Sequence, residues 1–180
     1  GERAAASRGQ IVAVAGEPGV GKSRLFWEFT HSHHVRGWLV LESGALSYGK
    51  TTPYLPVVDL LKSYFRIGDA DDAREIREKV IGKLLALDRA LEATLPIFLT
   101  LLDVPVEDAQ WQVADPVQRR QRTLDAVKRL LLRESQVQPV LVLFEDLHWI
   151  DSETQGLLDA LVESILGARV LLLVNYRPEY

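Results

Sequence analysis

The stretch QIVAVAGEPGVGKSRLF, residues 10–26, decides the fold. Its first half, Gln10 to Gly16, is a short β-branched apolar run that stops at a glycine, and it reads as a strand buried on both faces. From Lys22 the apolar residues Leu25, Phe26 and Phe29 recur at helical spacing, predicting a helix to about Val35. Between strand and helix, Gly16, Gly21, Lys22 and Ser23 satisfy the pattern G-x-x-x-x-G-K-[ST]. Glycines there let successive backbone N–H groups converge on one anion, and the next helix adds unsatisfied donors and the positive end of its dipole. The motif therefore reads as a phosphate cradle, with Lys22 reaching the β- and γ-phosphates and the Ser23 hydroxyl ligating Mg²⁺. Gly16, Glu17, Pro18, Gly19, Val20, Gly21, Lys22, Ser23 and the following Arg24 are the expected nucleotide contacts.

Working outward, WLVLES (38–43) returns to strand composition and completes a βαβ unit. After Pro53 the chain reads as helix. Leu55, Val58, Leu61 and Phe65 form one stripe; Ile76, Val80, Leu84 and Leu87 form a second, with Glu75 and Lys79 spaced as an i,i+4 pair. A third helix is predicted over 91–102, and a fourth opens at Asp115 and Pro116 and ends before Pro139. PVLVLFED (139–146) is the next buried strand, a helix starts at Asp151 or Ser152 and runs to Gly167, and ARVLLLVNY (168–176) closes as a strand. Wholly apolar strands alternating with helices make this an α/β chain with a parallel sheet covered on both faces.

A phosphate loop needs a second element that holds the metal and orients water. Glu145 and Asp146 stand at the carboxyl end of their strand, where open α/β sheets place ligands. In a regular strand adjacent side chains point opposite ways, so one acid faces Mg²⁺ and the other elsewhere; the residues alone leave open which. Asn175 and Arg177 end the last strand, suited to sense a γ-phosphate and stabilise its charge.

The bulk properties narrow the classes. With 180 residues, 47% of them hydrophobic, the chain is expected to form a single domain over residues 1–180. A net charge of −4 gives no footprint for nucleic acid, which is not an expected partner. No apolar run approaches the roughly 20 residues of a bilayer span. Absence of cysteine removes disulfides and thiolate metal sites and agrees with a cytoplasmic location. Because methionine is absent, even from position 1, a fragment of a larger protein is expected. His31, His33 and His34 read as a polar helix end, and Arg119, Arg120 and Arg122 as a solvated helix face. His148 and Trp149 suit local packing.

The blocks GEPGVGKSRLFWEF, YGKTTPYLPVVDLL, LVLFEDLHWIDSET and LLLVNYRPEY, in this order, resemble the AAA-type ATPase module of the STAND class of signal-transduction NTPases. Such modules occur in bacterial multidomain proteins beside adenylate or guanylate cyclase domains. The resemblance implies a three-layer α/β/α P-loop NTPase with strand order 1-4-3-2 and a large helical insertion, about 53–138, between strands 2 and 3. It sets Asn175 and Arg177 next to the phosphates, Glu145 in the place usually held by the Walker B aspartate, and Asp146 in the acidic position associated with water activation. Glutamate there departs from the family pattern, so the metal ligand stays open between the two acids. The same resemblance makes His148 and Trp149 part of a switch region, a reading equal in weight to local packing.

The resemblance also implies ATP rather than GTP, Mg²⁺, and a helical lid beyond Tyr180, so that the isolated piece turns over slowly. The expected role is an ATP-binding, weakly hydrolysing regulatory switch with Glu145, Asp146 and Arg177 as catalytic residues. Its partners would be ATP and ADP, a cyclase or other output domain of the parent protein, and, depending on nucleotide, a second copy; no membrane is expected. The alternatives are a P-loop small-molecule kinase and a non-hydrolysing nucleotide-binding scaffold. A DNA-loading ATPase is disfavoured by the acidic balance.

Overall fold

In the computed structural model, which describes residue 4 and residues 9–44 and 52–179, the four strands form one sheet. They are β1 (Gln10–Ala15), β2 (Leu39–Gly44), β3 (Val140–Glu145) and β4 (Val170–Tyr176), all parallel, in the order β1-β4-β3-β2. This is the expected α/β topology. The register aligns the carboxyl ends, with Gly44 opposite Glu145, Phe144 opposite Val174, and Asn175 opposite Val14.

The two central strands are buried on both sides, and their side chains alternate between two cores. Val140, Val142 and Phe144 of β3 join Val170, Leu172 and Val174 of β4 in the larger core. Leu141, Leu143, Leu171 and Leu173 face the smaller one, with Phe26 and Val35. The helix α1 (Lys22–Thr30) thus covers one face. The other is covered by α2 (Leu55–Phe65), α3 (Ala73–Leu87), α4 (Leu95–Leu101), α5 (Ala109–Gln112) and α6 (Pro116–Val137), all inserted between β2 and β3, and by α7 (Ser152–Ser164).

β1 corrects one expectation. It is an edge strand among the described residues, and Ile11 and Val12 are 40% and 43% exposed, so it is not buried on both faces. Apolar composition alone does not separate an edge from a centre. Other differences are local. α1 stops at Thr30, and a single 3-10 turn follows at His33–Val35. The helix expected over 91–102 divides into a 3-10 segment (Arg89–Thr94) and α4, whose first turn contains Pro96. The α2 stripe is rotated toward Val57, Leu60, Leu61 and Tyr64, leaving Leu55 and Val58 half-buried. Glu75 does not pair with Lys79: its carboxylate accepts from the Asp72 N–H to close a capping box, and Lys79 pairs with Asp71. α6 starts as expected, with a capping box between Asp115 and Gln118 and Pro116 in the first turn. The quoted residues 48–51 of the second family block lie outside the described residues.

Phe98 is fully buried where the insertion meets the core, against Phe65 at 5.8 Å between ring centroids. Phe98→Ala is expected to cost about 3–5 kcal/mol in urea denaturation, whereas Val113→Ala on the exposed surface should stay within about 0.5 kcal/mol.

Candidate functional site

The loop between β1 and α1 is fastened to the sheet at its entry, where the Gly16 N–H donates to the Tyr176 carbonyl at 3.3 Å. Gly19 and Gly21 then take φ of 83° and 95°, a left-handed geometry that side-chain-bearing residues adopt only with strain. Gly21 is the N-cap of α1 and supplies no capping side chain, and no acid lies in the first turn. The first N–H donors of α1 therefore lack intrahelical partners and meet no competing carboxylate from their own helix. Lys22 curls back over the loop, its Nζ donating to the carbonyls of Gly16 at 2.5 Å and Glu17 at 3.0 Å.

Behind the loop, a hydrogen-bonded chain ties three elements together. Ser23 Oγ donates to Glu145 Oε2 at 2.5 Å, and Asn175 Nδ2 donates to the same oxygen at 3.0 Å. Asn175 Oδ1 in turn accepts from the Asp146 N–H at 2.8 Å. Asn175 is wholly buried, so its amide locks the ends of β3 and β4 at one separation.

The chain leaves regular strand geometry at Asp146, whose φ of 56° and ψ of 48° are left-handed. The alternation expected of a regular strand therefore does not decide between the two acids. Glu145 turns toward Ser23 and Asn175, while Asp146 lines a 340 Å³ cavity with Pro18, Gly19, Gly21, Lys22, Ser23, Arg24 and Arg177. Three cations and one carboxylate make this cavity electropositive. Gly16, Glu17, Val20, Glu145 and Asn175 are not among its walls: Gly16 and Glu17 offer carbonyls to Lys22, Val20 projects outward at 64% exposure, and Glu145 and Asn175 stand behind the loop. Arg24 is also paired with Glu28 at 2.7 Å.

Two residues that the sequence left open take definite positions. The Arg177 guanidinium lies over the Trp149 ring at 5.8 Å, and His148 packs beside Trp149 with both ring nitrogens buried and without a hydrogen-bond partner among the described residues. Burial, assisted by the Arg177 charge and opposed by Asp146, pushes the His148 pKa down. Nothing in composition or spacing announced that both imidazole nitrogens would be buried.

The turn after Asp146 is also tied to the insertion. Asp151 caps α7 by accepting from the N–H groups of Glu153 and Thr154, and it accepts from the Tyr54 N–H at 3.1 Å. Tyr54 O–H donates to Glu153, which also pairs with Arg120 at 2.8 Å. Burial and the Glu153 charge push the Tyr54 pKa up. The arginine cluster is a solvated helix face, as expected: Arg119, Arg120 and Arg122 are all exposed, with Arg119 donating to the Gln112 carbonyl and Arg122 to that of Gln110. The histidines are likewise local: His31 stacks on Trp27 at 4.4 Å, and His33 touches His34 at 4.0 Å.

A parallel sheet of this order, with a glycine-rich turn leading into an uncapped helix and acids at the end of the neighbouring-but-one strand, defines the P-loop NTPase class. The chain belongs to the AAA ATPase domain family, whose model matches residues 2–174. It is 27% identical over 175 residues to an uncharacterized protein of Rhizobium meliloti (strain 1021), covering 97% of this chain but only 17% of that protein. No solved structure matches the chain. Among the described residues, no helix is long and apolar enough to cross a membrane.

Asn175→Leu should leave the Asp146 N–H without its partner and destabilise the fold by about 1–3 kcal/mol, read by thermal denaturation. His148 gives a pH signature. Its depressed folded pKa means that the unfolded chain takes up a proton first as pH falls through about 6.5, so stability declines from there until the folded pKa is passed. His148→Phe should flatten that part of the stability profile between pH 8 and 5, measured by urea titration at each pH.

Proposed function

We propose that this chain binds ATP with Mg²⁺ in the cavity walled by Lys22, Asp146 and Arg177, and serves as a slowly hydrolysing nucleotide switch in a larger signalling protein. The observation that carries this reading is the hydrogen-bonded chain Ser23, Glu145 and Asn175, which brings a hydroxyl and a carboxylate together behind an uncapped, cation-lined helix start.

The residues suit the groups they would hold. Phosphate oxygens would accept from the backbone N–H groups of 19–23 and the first turn of α1, and the Lys22 ammonium would turn from the Gly16 and Glu17 carbonyls toward the terminal phosphates. Hydroxyl and carboxylate are hard oxygen donors of the kind that Mg²⁺ takes, and Mg²⁺ in such sites relies on phosphates and water for its other ligands. That matters here because no cluster of three or more carboxylates and imidazoles able to hold a metal occurs among the described residues. Ser23 and Glu145 would hold the ion, which would supply charge neutralisation to the phosphates.

Asp146, aimed into the cavity, would orient the attacking water and accept its proton. Arg177 would leave the Trp149 face for the γ-phosphate and stabilise charge developing there. Occupancy would then be reported by the segment 146–151. Its effect on an attached output domain, a cyclase or another, would follow from whichever conformation of that segment the nucleotide favours. Nucleotide-dependent self-association belongs to the same proposal.

Calorimetric titration with ATP, ADP and GTP in Mg²⁺ tests this directly. Lys22→Ala should abolish measurable binding, and an unchanged affinity for ATP would falsify the site. Glu145→Gln should remove the dependence of ATP affinity on Mg²⁺, whereas Asp146→Asn should retain binding and lower phosphate release by about 10²-fold or more. The reverse pattern would exchange the two roles.

A further inference from the structure

A second cavity, of 280 Å³, lies wholly within the helical insertion, between the 3-10 segment 89–94, the start of α4, α5 and α6. It shares no lining residue with the cavity at the P-loop. Its apolar wall includes Ile97 and the buried Trp111, whose ring is steadied by the Arg119 guanidinium at 5.7 Å. Its polar wall contains Arg122, Asp125 and Arg129 of α6 and Asp108.

The charges in that wall are incompletely used. Residues 122, 125 and 129 are three and four apart on one helix, with both arginines exposed at the mouth of the cleft, and at that spacing opposite charges can pair. They do not do so here. Asp125 pairs with Lys128 at 3.4 Å, Arg122 donates to the Gln110 carbonyl at 3.2 Å, and Arg129 donates to the Ala90 carbonyl at 3.0 Å. Neither arginine has a carboxylate within ion-pair distance among the described residues, and each engages one carbonyl with a guanidinium that has five N–H donors. Asp108 uses Oδ1 to cap Trp111, and its second oxygen has no partner among the described residues.

We infer that this cleft binds a small zwitterion, an amino acid with a large apolar side chain, at a site separate from the nucleotide. Two cations and two anions around one cavity disfavour a ligand of a single sign: a phosphate or dicarboxylate meets Asp108 and Asp125, and an amine meets the two arginines. An α-carboxylate fits the open donors of Arg122 and Arg129, and an α-ammonium fits the open oxygens of Asp108 and Asp125. The volume is at the small end of ligand pockets, which suits a ring-sized side chain against Trp111 and Ile97 and nothing as large as a nucleotide.

The test titrates the 180-residue chain, without nucleotide, with L-phenylalanine, phenylacetate and phenethylamine, by calorimetry and thermal shift. L-Phenylalanine should bind, and each single-charge analogue should bind at least about tenfold more weakly. The double variant Arg122→Ala, Arg129→Ala should lose L-phenylalanine binding with its melting transition retained. Should that variant fail to fold, Asp125→Asn in its place should erase the preference for L-phenylalanine over phenylacetate. Three results would overturn the inference: no binding of any probe up to about 10 mM, phenylacetate as tight as L-phenylalanine, or full affinity in a folded double arginine variant.

Discussion

Burial of β3 and β4 on both faces is the constraint from which the other arrangements follow. A parallel pair cannot be joined by a tight turn, so each connection must cross over, and strands apolar on both sides require cover on both. α1 supplies that cover on one side, and the insertion with α7 supplies it on the other. The same parallel pairing brings every strand's carboxyl end to one edge of the sheet. The glycine loop, the two acids and Asn175 therefore meet there without long excursions of the chain.

Much of this was legible before any coordinates, for identifiable reasons. Strands as uniformly apolar as 140–144 and 170–174 admit few other roles, and Asp115 followed by Pro116 marks a helix start by local backbone geometry that needs no tertiary context. β1 reads like a central strand because Ile11 and Val12 are as apolar as central-strand residues, and only strand order shows that they stand at an edge. The strand order itself came from resemblance, since periodicity carries no information about which strands are neighbours. α5 has only four residues, too few to display a helical period.

The site divides along the same line. Lys22, Ser23 and the glycines are fixed by local backbone geometry, so their motif locates them. Glu145 and Asp146 depended on whether the strand stays regular through their junction, and the left-handed conformation of Asp146 breaks that premise. This geometry costs strain in a residue other than glycine, and the Asn175 amide helps hold it. Arg177 was legible as a terminal charge, but its resting place over Trp149 depends on a turn nearly thirty positions earlier.

The knot of Tyr54, Asp151, Glu153 and Arg120 has a mechanical meaning. Asp151 is at once the cap of α7 and the acceptor for the N–H at the head of α2, and Glu153 holds both Tyr54 and the first turns of α6. The acidic turn is thus a hinge pin shared by three helices. A rotation of that turn breaks these contacts unless the heads of α2 and α6 move with it. The edge of the sheet that carries Asp146 is thus joined, through two carboxylates, to the heads of two helices of the insertion.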